Sequence, residues 1–318
     1  MEKICIELRD LLYKNRQNSL SDCLLLSGGL DSSLLASIFR PVYTITVALG
    51  SQAPDLSFAK VIAKMFSSIH YEIILTIEDL LQITKQVIII LRTFDPMEIR
   101  NSSVMFAGLR EARQRGYRIV MTGDGGDELF AGYNYLRRYY SDEEALKNEL
   151  NRLWNLMHFS SVELGNKLGV SVKTPFLDHD FLIFAQSIPV SMKVGKYQER
   201  LWGKFILRKC FQTQLGEAIS WRPKLAQENG AGISKIETYF KNTGDDKTFA
   251  TELKNAKLEG VTIRSEEHLK YYEIFKEFFG LPRDELCSSF RRCPRCQGCF
   301  RWKGNFCRIC GAYPVTPT

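Results

Sequence analysis

The chain has 318 residues, of which 45% are hydrophobic and 25% are charged, and its formal net charge is +7. This length and composition predict a globular protein with one sizeable α/β domain and one or two smaller parts, and they exclude a largely disordered chain. The longest apolar stretch, around residues 87–91, is far shorter than the roughly 18 apolar residues that a membrane span requires, so we expect no membrane segment.

The predicted elements alternate between strand and helix over the first 121 residues. An apolar run at 23–26 predicts a strand, and the apolar side chains of residues 31–40 follow helical spacing after a Ser-Gly-Gly turn. The same criteria predict further strands at 42–49, 71–75 and 118–121, helices at 77–91 and 102–115, and mostly helical structure after residue 142. This alternation predicts an α/β fold with a doubly wound, mostly parallel sheet and a helical carboxyl-terminal part. The four predicted parts are an N-terminal helix, a main domain, a helical extension and a cysteine-rich ribbon, at residues 1–20, 21–235, 236–286 and 287–318.

The amino terminus, MEKIC, has neither the apolar core nor the cleavage site of a signal peptide. We therefore expect a cytoplasmic protein in a reducing environment. In that environment a count of nine cysteines indicates a metal site before it indicates disulfides. Cys5, Cys23 and Cys210 are expected to be buried packing residues.

Residues 27–33, with the sequence SGGLDSS, join the first predicted strand to the first predicted helix. A glycine turn at a helix start exposes backbone N–H groups and the positive end of the helix dipole, which suits a phosphate, and the serine hydroxyls add donors. The loop is not a Walker A loop, because no Gly-Lys-Ser/Thr follows. Taken alone, the pattern also fits a tight turn with a helix cap.

Residues 122–128, with the sequence TGDGGDE, follow the fourth predicted strand and are expected at the same edge of the sheet as the first loop. Asp124, Asp127 and Glu128 supply hard oxygen ligands for Mg²⁺, the cation that an anionic nucleotide requires. The alternative is a solvated acidic turn in which Glu128 caps a helix. The two loops together favour a nucleotide site.

Six stretches of the chain, in order, resemble a known family. The first loop is similar to the pyrophosphate-binding loop of the N-type ATP pyrophosphatases (the PP-loop proteins), and residues 122–133 resemble the second signature of the synthetase domain of asparagine synthetase. The other stretches similar to that domain are residues 93–103, 173–178, and the basic motifs at 203–208 and 221–224. The resemblance covers about residues 20–235. It implies a fold like that of the adenine nucleotide alpha hydrolases and an ATP-dependent carbon–nitrogen ligase that forms an acyl-adenylate and releases pyrophosphate and AMP.

The resemblance also implies roles for individual residues. The residues that would bind pyrophosphate and nucleotide are Ser27, Gly28, Gly29, Asp31, Ser32, Ser33, Gly123 and Asp127. Asp31 and Asp127 would bind Mg²⁺, and Asp124 would line the reacting centre. Lys204 would stabilise charge on the pentavalent phosphorus, because carboxylate attack on the α-phosphorus joins two anions. The implied substrates are ATP and a small carboxylate, either aspartate or an analogue.

The amino-terminal region departs from the family pattern. Glutamine-dependent asparagine synthetases carry an N-terminal glutaminase domain whose nucleophile is a cysteine exposed after removal of the initiator Met, whereas residue 2 here is Glu. We therefore expect free ammonia, a separate glutaminase subunit or another amine as the nitrogen source.

The carboxyl-terminal ribbon contains two Cys-x-x-Cys pairs at zinc-ribbon spacing. The predicted Zn²⁺ ligands are Cys293, Cys296, Cys307 and Cys310. An alternative set is Cys287, Cys293, Cys296 and Cys299, which resembles the cluster of the related enzymes that make the deazaguanine nitrile precursor of queuosine. That alternative leaves the last two cysteines of the chain unexplained.

Residues 287–318 contribute +6 of the net charge, and Phe290, Phe300, Trp302 and Phe306 are interleaved with these cations. This composition suits contact with tRNA and equally suits a surface that docks on the protein's own helices. The sequence therefore leaves two enzyme hypotheses, an amide ligase acting on a small carboxylate and a PP-loop enzyme that modifies tRNA held by the ribbon. A third hypothesis, a nucleotide-binding regulator without turnover, is disfavoured by the presence of Asp31, Asp127 and Lys204.

Overall fold

The computed structural model describes residues 1–18, 21–284, 287, 291–299 and 305–316. The chain forms two compact units. The first unit comprises Met1–Ile74 and Gly108–Ala231, and the second unit comprises Leu75–Ala107 and Gly232–Thr318. This grouping does not test the four-part division predicted from the sequence, which stays a prediction.

The described elements are numbered in chain order. Strands β1 to β7 span Cys23–Leu25, Tyr43–Leu49, Ile69–Leu75, Ile119–Met121, Ser171–Lys173, Val194–Tyr197 and Arg200–Gly203. Helices α1 to α8 span Glu2–Asn18, Leu30–Phe39, Pro54–Phe66, Ile77–Leu91, Pro96–Gln114, Gly126–Leu129, Glu143–Leu156 and Ser160–Leu168. Helices α9 to α16 span His179–Ser187, Val190–Lys193, Phe205–Leu215, Glu217–Ser220, Gln227–Gly230, Lys235–Thr243, Asp246–Leu258 and Glu266–Phe279. Short 3-10 helices lie at Asn134–Tyr139, Pro175–Leu177 and Pro282–Asp284.

The main sheet has the strand order β3-β2-β1-β4-β5 among the described residues, and β6 and β7 form a separate antiparallel pair. Strand β1 is parallel to both β2 and β4, and β4 is parallel to β5. The chain crosses from β3 at one edge back past β1 to β4, so the order of strand addition reverses between β1 and β4. Ligands of such sheets bind beyond the carboxyl ends of the strands at this reversal. The predicted mostly parallel α/β fold is confirmed.

Helix α2 lies in the hydrophobic core of the first unit. Every residue of α2 except Asp31 is buried, and α2 packs against α1, α3 and α11. Each fully buried leucine or isoleucine in this helix, such as Leu34 and Ile38, contributes roughly 2 kcal/mol of hydrophobic stabilisation. The packing therefore holds the first turn of α2 at the end of β1.

A disulfide joins Cys5 of α1 to Cys210 of α11. Both side chains are buried, as predicted. The expectation that the cysteines do not form disulfides is wrong for this pair. Helices α1 and α11 pack together and bring the two Cα atoms to 5.0 Å, a separation within the usual range for a disulfide. Cys23 is a free, buried cysteine, as predicted.

The second unit is built mainly from helices, which confirms the predicted helical carboxyl-terminal part. Helix α16 packs against α4, α14 and α15. Arg100 of α5 makes two bonds to the buried carboxylate of Glu267 on α16, and it also bonds Glu237 of α14 at 3.2 Å. In the part of the chain that the structure describes, no helix is long and apolar enough to cross a membrane.

Candidate active site

Two loops meet where the strand order reverses. The first, residues 26–29, leads from β1 into α2, and the second, residues 122–125, leads from β4 into α6. A Cβ atom on Gly123 would lie 3.2 Å from the Asp31 Cβ, and one on Gly126 would lie 2.6 Å from the Asp31 carboxyl group. Glycine therefore allows the second loop to approach the first turn of α2, and the predicted residues of both loops come together.

The first loop forms a polar turn at the start of α2. Gly28 has φ +68°, and a Cβ atom there would lie 2.5 Å from a backbone nitrogen of α3, so the position requires glycine. The hydroxyls of Ser27 and Ser32 are 3.1 Å apart, and the Gly29 N–H donates to the Ser27 Oγ at 3.2 Å. The Ser33 Oγ is buried without a hydrogen-bond partner among the described residues. Because α2 also lacks a side-chain N-cap, this turn offers donors for an anion.

Lys204 lies between the two loops. Its Nζ donates to the Asp31 Oδ2 and lies 2.7 Å from the Asp127 Oδ1. Its side chain is only 3% exposed. The Nζ of Lys224 donates to the other oxygen of Asp127 at 2.5 Å. Two cations and two carboxylates, called here the carboxylate–lysine centre, therefore alternate, with Lys204 as its buried member and Lys224 at its more exposed end.

The charges in this centre stabilise one another. Burial by itself would raise the pKa of Asp127, but Lys204 and Lys224 outweigh this effect and hold the pKa below its ordinary value. Burial by itself would lower the pKa of Lys204, but Asp127 and Asp31 raise it above its ordinary value. Asp127 and Lys204 are therefore both ionised at neutral pH.

The centre has carboxylate oxygens with free lone pairs. The Oδ1 atoms of Asp31 and Asp127 are buried and accept no hydrogen bond from a described residue; the ion pair of the Asp127 Oδ1 with Lys204 is close, but it does not have hydrogen-bond geometry. Carboxylate oxygens are the ligands that Mg²⁺ prefers in proteins. The residues present therefore fit a Mg²⁺ ion held between the two loops.

The backbone around Lys204 is tightly constrained. Lys204 has φ +55°, in the left-handed region, and its N–H donates to the Phe130 carbonyl at 2.7 Å. A Cβ atom on Gly132 would lie 2.0 Å from the Asp127 Oδ1 and 2.1 Å from the Lys204 Cε. A left-handed non-glycine residue costs on the order of 1 kcal/mol, and such strain concentrates at functional sites.

Asp124, predicted at the reacting centre, is a buried carboxyl group held by two hydroxyls. Thr122 donates to its Oδ2 at 2.8 Å, and Ser161 of α8 donates to the same oxygen at 2.5 Å. Burial raises the pKa of Asp124 above its ordinary value, and the two hydrogen bonds offset part of this rise. Ser161 was not predictable as a partner of Asp124, because no sequence motif signals it.

Glu128 lies beside the carboxylate–lysine centre in the first turn of α6. The Tyr133 hydroxyl donates to its Oε1 at 2.5 Å. Burial and, secondarily, the charge of Asp127 raise the pKa of Glu128 to about 7. This carboxyl group therefore titrates near neutrality.

Arg222 anchors the first loop. Its guanidinium donates to the Gly28 carbonyl at 2.9 Å and to the Asp55 carboxylate at 2.6 Å, and it lies 3.8 Å from the centroid of the Phe58 ring. Arg208 donates in turn to the Arg222 carbonyl at 3.1 Å. The basic motifs at 203–208 and 221–224 are recognisable in the sequence, but a role was predicted only for the lysine of the first. Spacing does not show which distant group a side chain reaches.

The predicted zinc ligands form a separate centre in the second unit, called here the four-cysteine centre. The sulfur atoms of all four lie within 4.8 Å of one another and are buried; the residues are Cys293, Cys296, Cys307 and Cys310. The first and fourth sulfurs are 3.8 Å apart, as are the second and third. Thiolates bound at about 2.3 Å to a tetrahedral metal stand about 3.8 Å apart, so the sulfur positions fit Zn²⁺.

The two remaining cysteines of the ribbon do not belong to this centre. Cys287 and Cys299 are joined to each other by a disulfide. Because both sulfur atoms are in the disulfide, neither can serve as a metal ligand of the alternative set. The bond also contradicts the expectation of a metal site rather than disulfides for these two cysteines. It forms because the fold of the ribbon brings their Cα atoms to 5.1 Å.

Half of the ten ribbon side chains on which the predicted tRNA contact rests lie outside the described residues. These are Phe290, Phe300, Arg301, Trp302 and Lys303. The contact with RNA therefore stays a prediction.

Comparison with known families gives a match over most of the chain. The model of the family described as asparagine synthase matches residues 17–167 and 163–284. The match contains both loops and the basic motifs, and it ends before the four-cysteine centre.

Comparison with curated proteins finds relatives with related names. The chain is 31% identical over 312 residues to asparagine synthetase B [glutamine-hydrolyzing] of Escherichia coli (strain K12), covering 88% of this chain and 55% of that protein. It is 32% identical over 262 residues to asparagine synthetase [glutamine-hydrolyzing] 1 of Saccharomyces cerevisiae, covering 67% and 46%. It is 29% identical over 293 residues to asparagine synthetase [glutamine-hydrolyzing] of Asparagus officinalis, covering 85% and 49%. The chain thus spans about half the length of the curated relatives it matches.

Proposed function

The chain belongs to the asparagine synthase family, and we propose that its first unit is an ATP-dependent amide ligase that activates aspartate or a close analogue as an acyl-adenylate. The observation that carries this proposal is Lys204, which joins Asp31 at the first loop to Asp127 at the second. A buried cation between two carboxylates that keep free lone pairs suits a site for a polyphosphate and its Mg²⁺.

The proposed reaction has two steps. An oxygen of the substrate carboxylate attacks the α-phosphorus of ATP, the bond from that phosphorus to the bridging oxygen breaks, and pyrophosphate leaves. Ammonia then attacks the acyl carbon, the bond from that carbon to the AMP oxygen breaks, and the nitrogen loses a proton. With aspartate the products are asparagine, AMP and pyrophosphate. The first step joins two anions, so it requires cationic groups around the phosphates.

In this proposal, different residues bind the pyrophosphate, hold Mg²⁺ and neutralise the developing charge. Residues 27–33 would bind the pyrophosphate, with the unpaired hydroxyl of Ser33 as one donor. Asp31 and Asp127 would hold Mg²⁺, which supplies Lewis-acid polarisation of the phosphate oxygens when bound. Lys204 would neutralise charge that develops at the α-phosphorus, and Asp124 would line the reacting centre.

The nitrogen source belongs to the same proposal. The relatives reported above are named as glutamine-hydrolyzing. We propose that ammonia, either free or released from glutamine by a glutaminase, is the nucleophile that attacks the acyl carbon. No contact among the described residues, and none of the relatives named above, favours the tRNA-modifying alternative.

The test is to incubate the protein with ATP, Mg²⁺, ammonium and aspartate whose side-chain carboxylate carries ¹⁸O. The mechanism predicts asparagine, pyrophosphate and AMP that contains one labelled oxygen, because the attacking oxygen stays on the phosphorus. A Lys196→Met variant is the matched control for Lys204→Met, since Lys196 is exposed and pairs only at the surface with Glu199. Formation of ADP and phosphate, or of unlabelled AMP, would refute the acyl-adenylate.

We also propose that the four-cysteine centre binds Zn²⁺, on the ground of the sulfur separations given above. Metal analysis of the purified protein should find stoichiometric zinc. Cys310→Ser should lose it and Cys23→Ser, which replaces a buried cysteine of the first unit, should keep it. Equal zinc content in both variants would contradict the assignment.

A further inference from the structure

The second knuckle of the four-cysteine centre, residues 307–311, lies against residues 93–95 of the same unit. The Phe94 N–H donates to the Ile309 carbonyl at 2.7 Å. The Thr93 hydroxyl donates to the Arg308 carbonyl at 2.7 Å and lies 3.2 Å from the Ile309 carbonyl. These bonds join positions more than 200 residues apart in the sequence.

Close packing reinforces these bonds. Gly311 has φ +70°, and a Cβ atom there would lie 2.1 Å from the Asp95 Oδ1. The Arg264 guanidinium donates to the Cys310 carbonyl at 2.8 Å and to the Gly311 carbonyl at 3.1 Å, and it lies 3.8 Å from the Asp95 carboxylate. The second knuckle is therefore enclosed by residues 93–95 on one side and Arg264 on the other.

Residues 93–95 lead directly into helix α5. The Asp95 carboxylate accepts the Met97 N–H at 3.2 Å, and the Asp95 carbonyl accepts the Ile99 N–H at 3.0 Å. Asp95 thus acts as the N-cap of the helix. Further along the same helix, Arg100 is bonded to Glu267. The contacts of the second knuckle are therefore contacts with the start of α5.

The first knuckle, residues 293–298, is attached elsewhere in the unit. The Thr262 N–H donates to the Arg295 carbonyl at 2.7 Å. A Cβ atom on Gly298 would lie 2.6 Å from the Ile309 side chain, so the two knuckles also pack on each other. The first knuckle is bonded to residue 262 and the second to residues 93–95 and to Arg264, and the four sulfurs meet between the knuckles.

We propose that the metal-bound four-cysteine centre is an intramolecular brace that holds the start of α5 to the segment at 262–264. Four thiolates at this spacing repel one another unless a cation binds them, so closure of the centre requires the metal. The family match ends at residue 284, yet the second knuckle, beyond it, is bonded to residues 93–95 inside it. The brace rests on the proposed function only in treating residues 93–103 as part of the ligase domain.

The test measures hydrogen exchange of the full-length protein before and after zinc is removed with a chelator, without nucleotide. The brace predicts that exchange in the peptide covering residues 92–99 rises on the order of tenfold or more, because the Phe94 N–H loses its acceptor. The peptide covering β2 in the first unit should not change. Unchanged exchange at 92–99 after confirmed loss of zinc would overturn the proposal.

A variant that keeps all four cysteines separates the brace from metal binding itself. Arg264→Gln should retain zinc but increase exchange at 92–99, because it removes both bonds to the second knuckle. Arg283→Gln is the matched control, since Arg283 belongs to the same unit and is half exposed. An Arg264→Gln protein that exchanges at 92–99 like the control would also overturn the brace.

These outcomes are distinguishable from failure of the proposed function. A protein whose exchange responds to zinc but which forms no pyrophosphate would refute the ligase and leave the brace intact. A protein that forms labelled AMP but shows zinc-independent exchange at 92–99 would refute the brace alone.

Discussion

The carboxylate–lysine centre of the first unit and the four-cysteine centre of the second unit are both buried polar clusters, yet they are built in opposite ways. In the first, Asp31 and Asp127 each keep a buried oxygen that accepts no hydrogen bond from the described residues. In the second, four buried sulfur atoms lie within 4.8 Å of one another, and four cysteine ligands leave no open position on a tetrahedral metal. A centre with spare ligand capacity suits a substrate and its cation, whereas a closed centre suits a structural metal.

Replacing Lys204 is expected to have the largest effect, because it should abolish most of the activity of the first centre and leave the second centre unchanged. Lys204→Met leaves the two carboxylates facing each other without their shared cation, so pyrophosphate formation should fall by about a thousandfold, as for the loss of one preorganised electrostatic group. Initial rates with ATP, aspartate and ammonium measure this effect. Zinc content should be unchanged, because the four-cysteine centre belongs to the other unit. A fall of less than tenfold, with Lys196→Met as the control, would show that Lys204 is only a packing residue.

The Cys5–Cys210 disulfide is a sulfur cross-link in the first unit. Its removal tests how much a covalent sulfur bond stabilises that unit. The bond closes a loop with a sequence separation of 205 residues. Cys5→Ser should therefore lower the free energy of unfolding by about 2–4 kcal/mol. Denaturant titrations without reductant measure the difference, and the two proteins should become alike when reductant is present. Identical curves without reductant would mean that the bond does not form.

The pH dependence of stability tests the raised pKa of Glu128, which is due first to burial and then to the charge of Asp127 in the carboxylate–lysine centre. The pKa of Glu128 is raised from about 4.5 to about 7 when the protein is folded. The folded state therefore binds this proton more tightly than the unfolded state. The resulting stabilisation is fully present below about pH 4.5 and is lost as the pH rises through about 7, a change of up to about 3 kcal/mol.

Glu128→Gln removes this titration while keeping an acceptor for Tyr133. The difference in unfolding free energy between the unmodified protein and the variant should shrink or reverse in that pH window. The check is a series of denaturant titrations from about pH 4.5 to about pH 8, which spans the ordinary and the raised pKa. A difference that stays constant with pH would contradict the raised pKa.

The smallest expected effect concerns the unpaired hydroxyl of Ser33, near the start of α2. Ser33→Ala removes a buried group that has no partner among the described residues, so stability should hold or rise slightly. Pyrophosphate or ATP should bind about five- to tenfold more weakly, which corresponds to one hydrogen bond. Ser37→Ala is the control on the same helix, because Ser37 donates within the helix to the Leu34 carbonyl. Equal nucleotide affinity in the two variants would remove Ser33 from the binding site.

Much of the candidate site was predictable because its components are local in sequence. The loops at residues 27–33 and 122–128 carry their glycines, hydroxyls and carboxylates within a few positions, and strand ends predict where such loops lie. The two cysteine pairs predicted the members of the four-cysteine centre for the same reason. Ser161, Arg222 and the partner of Lys224 were not predictable, because each acts on a group far away along the chain.

The sequence by itself determined the alternation of strands and helices, the two loops and the four cysteines, since each depends on neighbouring residues and on the backbone conformations they favour. Only the tertiary structure decided which of these meet. It joined Lys204 to Asp31 across 173 residues, Cys5 to Cys210 across 205, and the second knuckle to Thr93 across 215. Contacts at such separations depend on how buried helices and strands pack, and packing is a property of the whole fold rather than of any single segment.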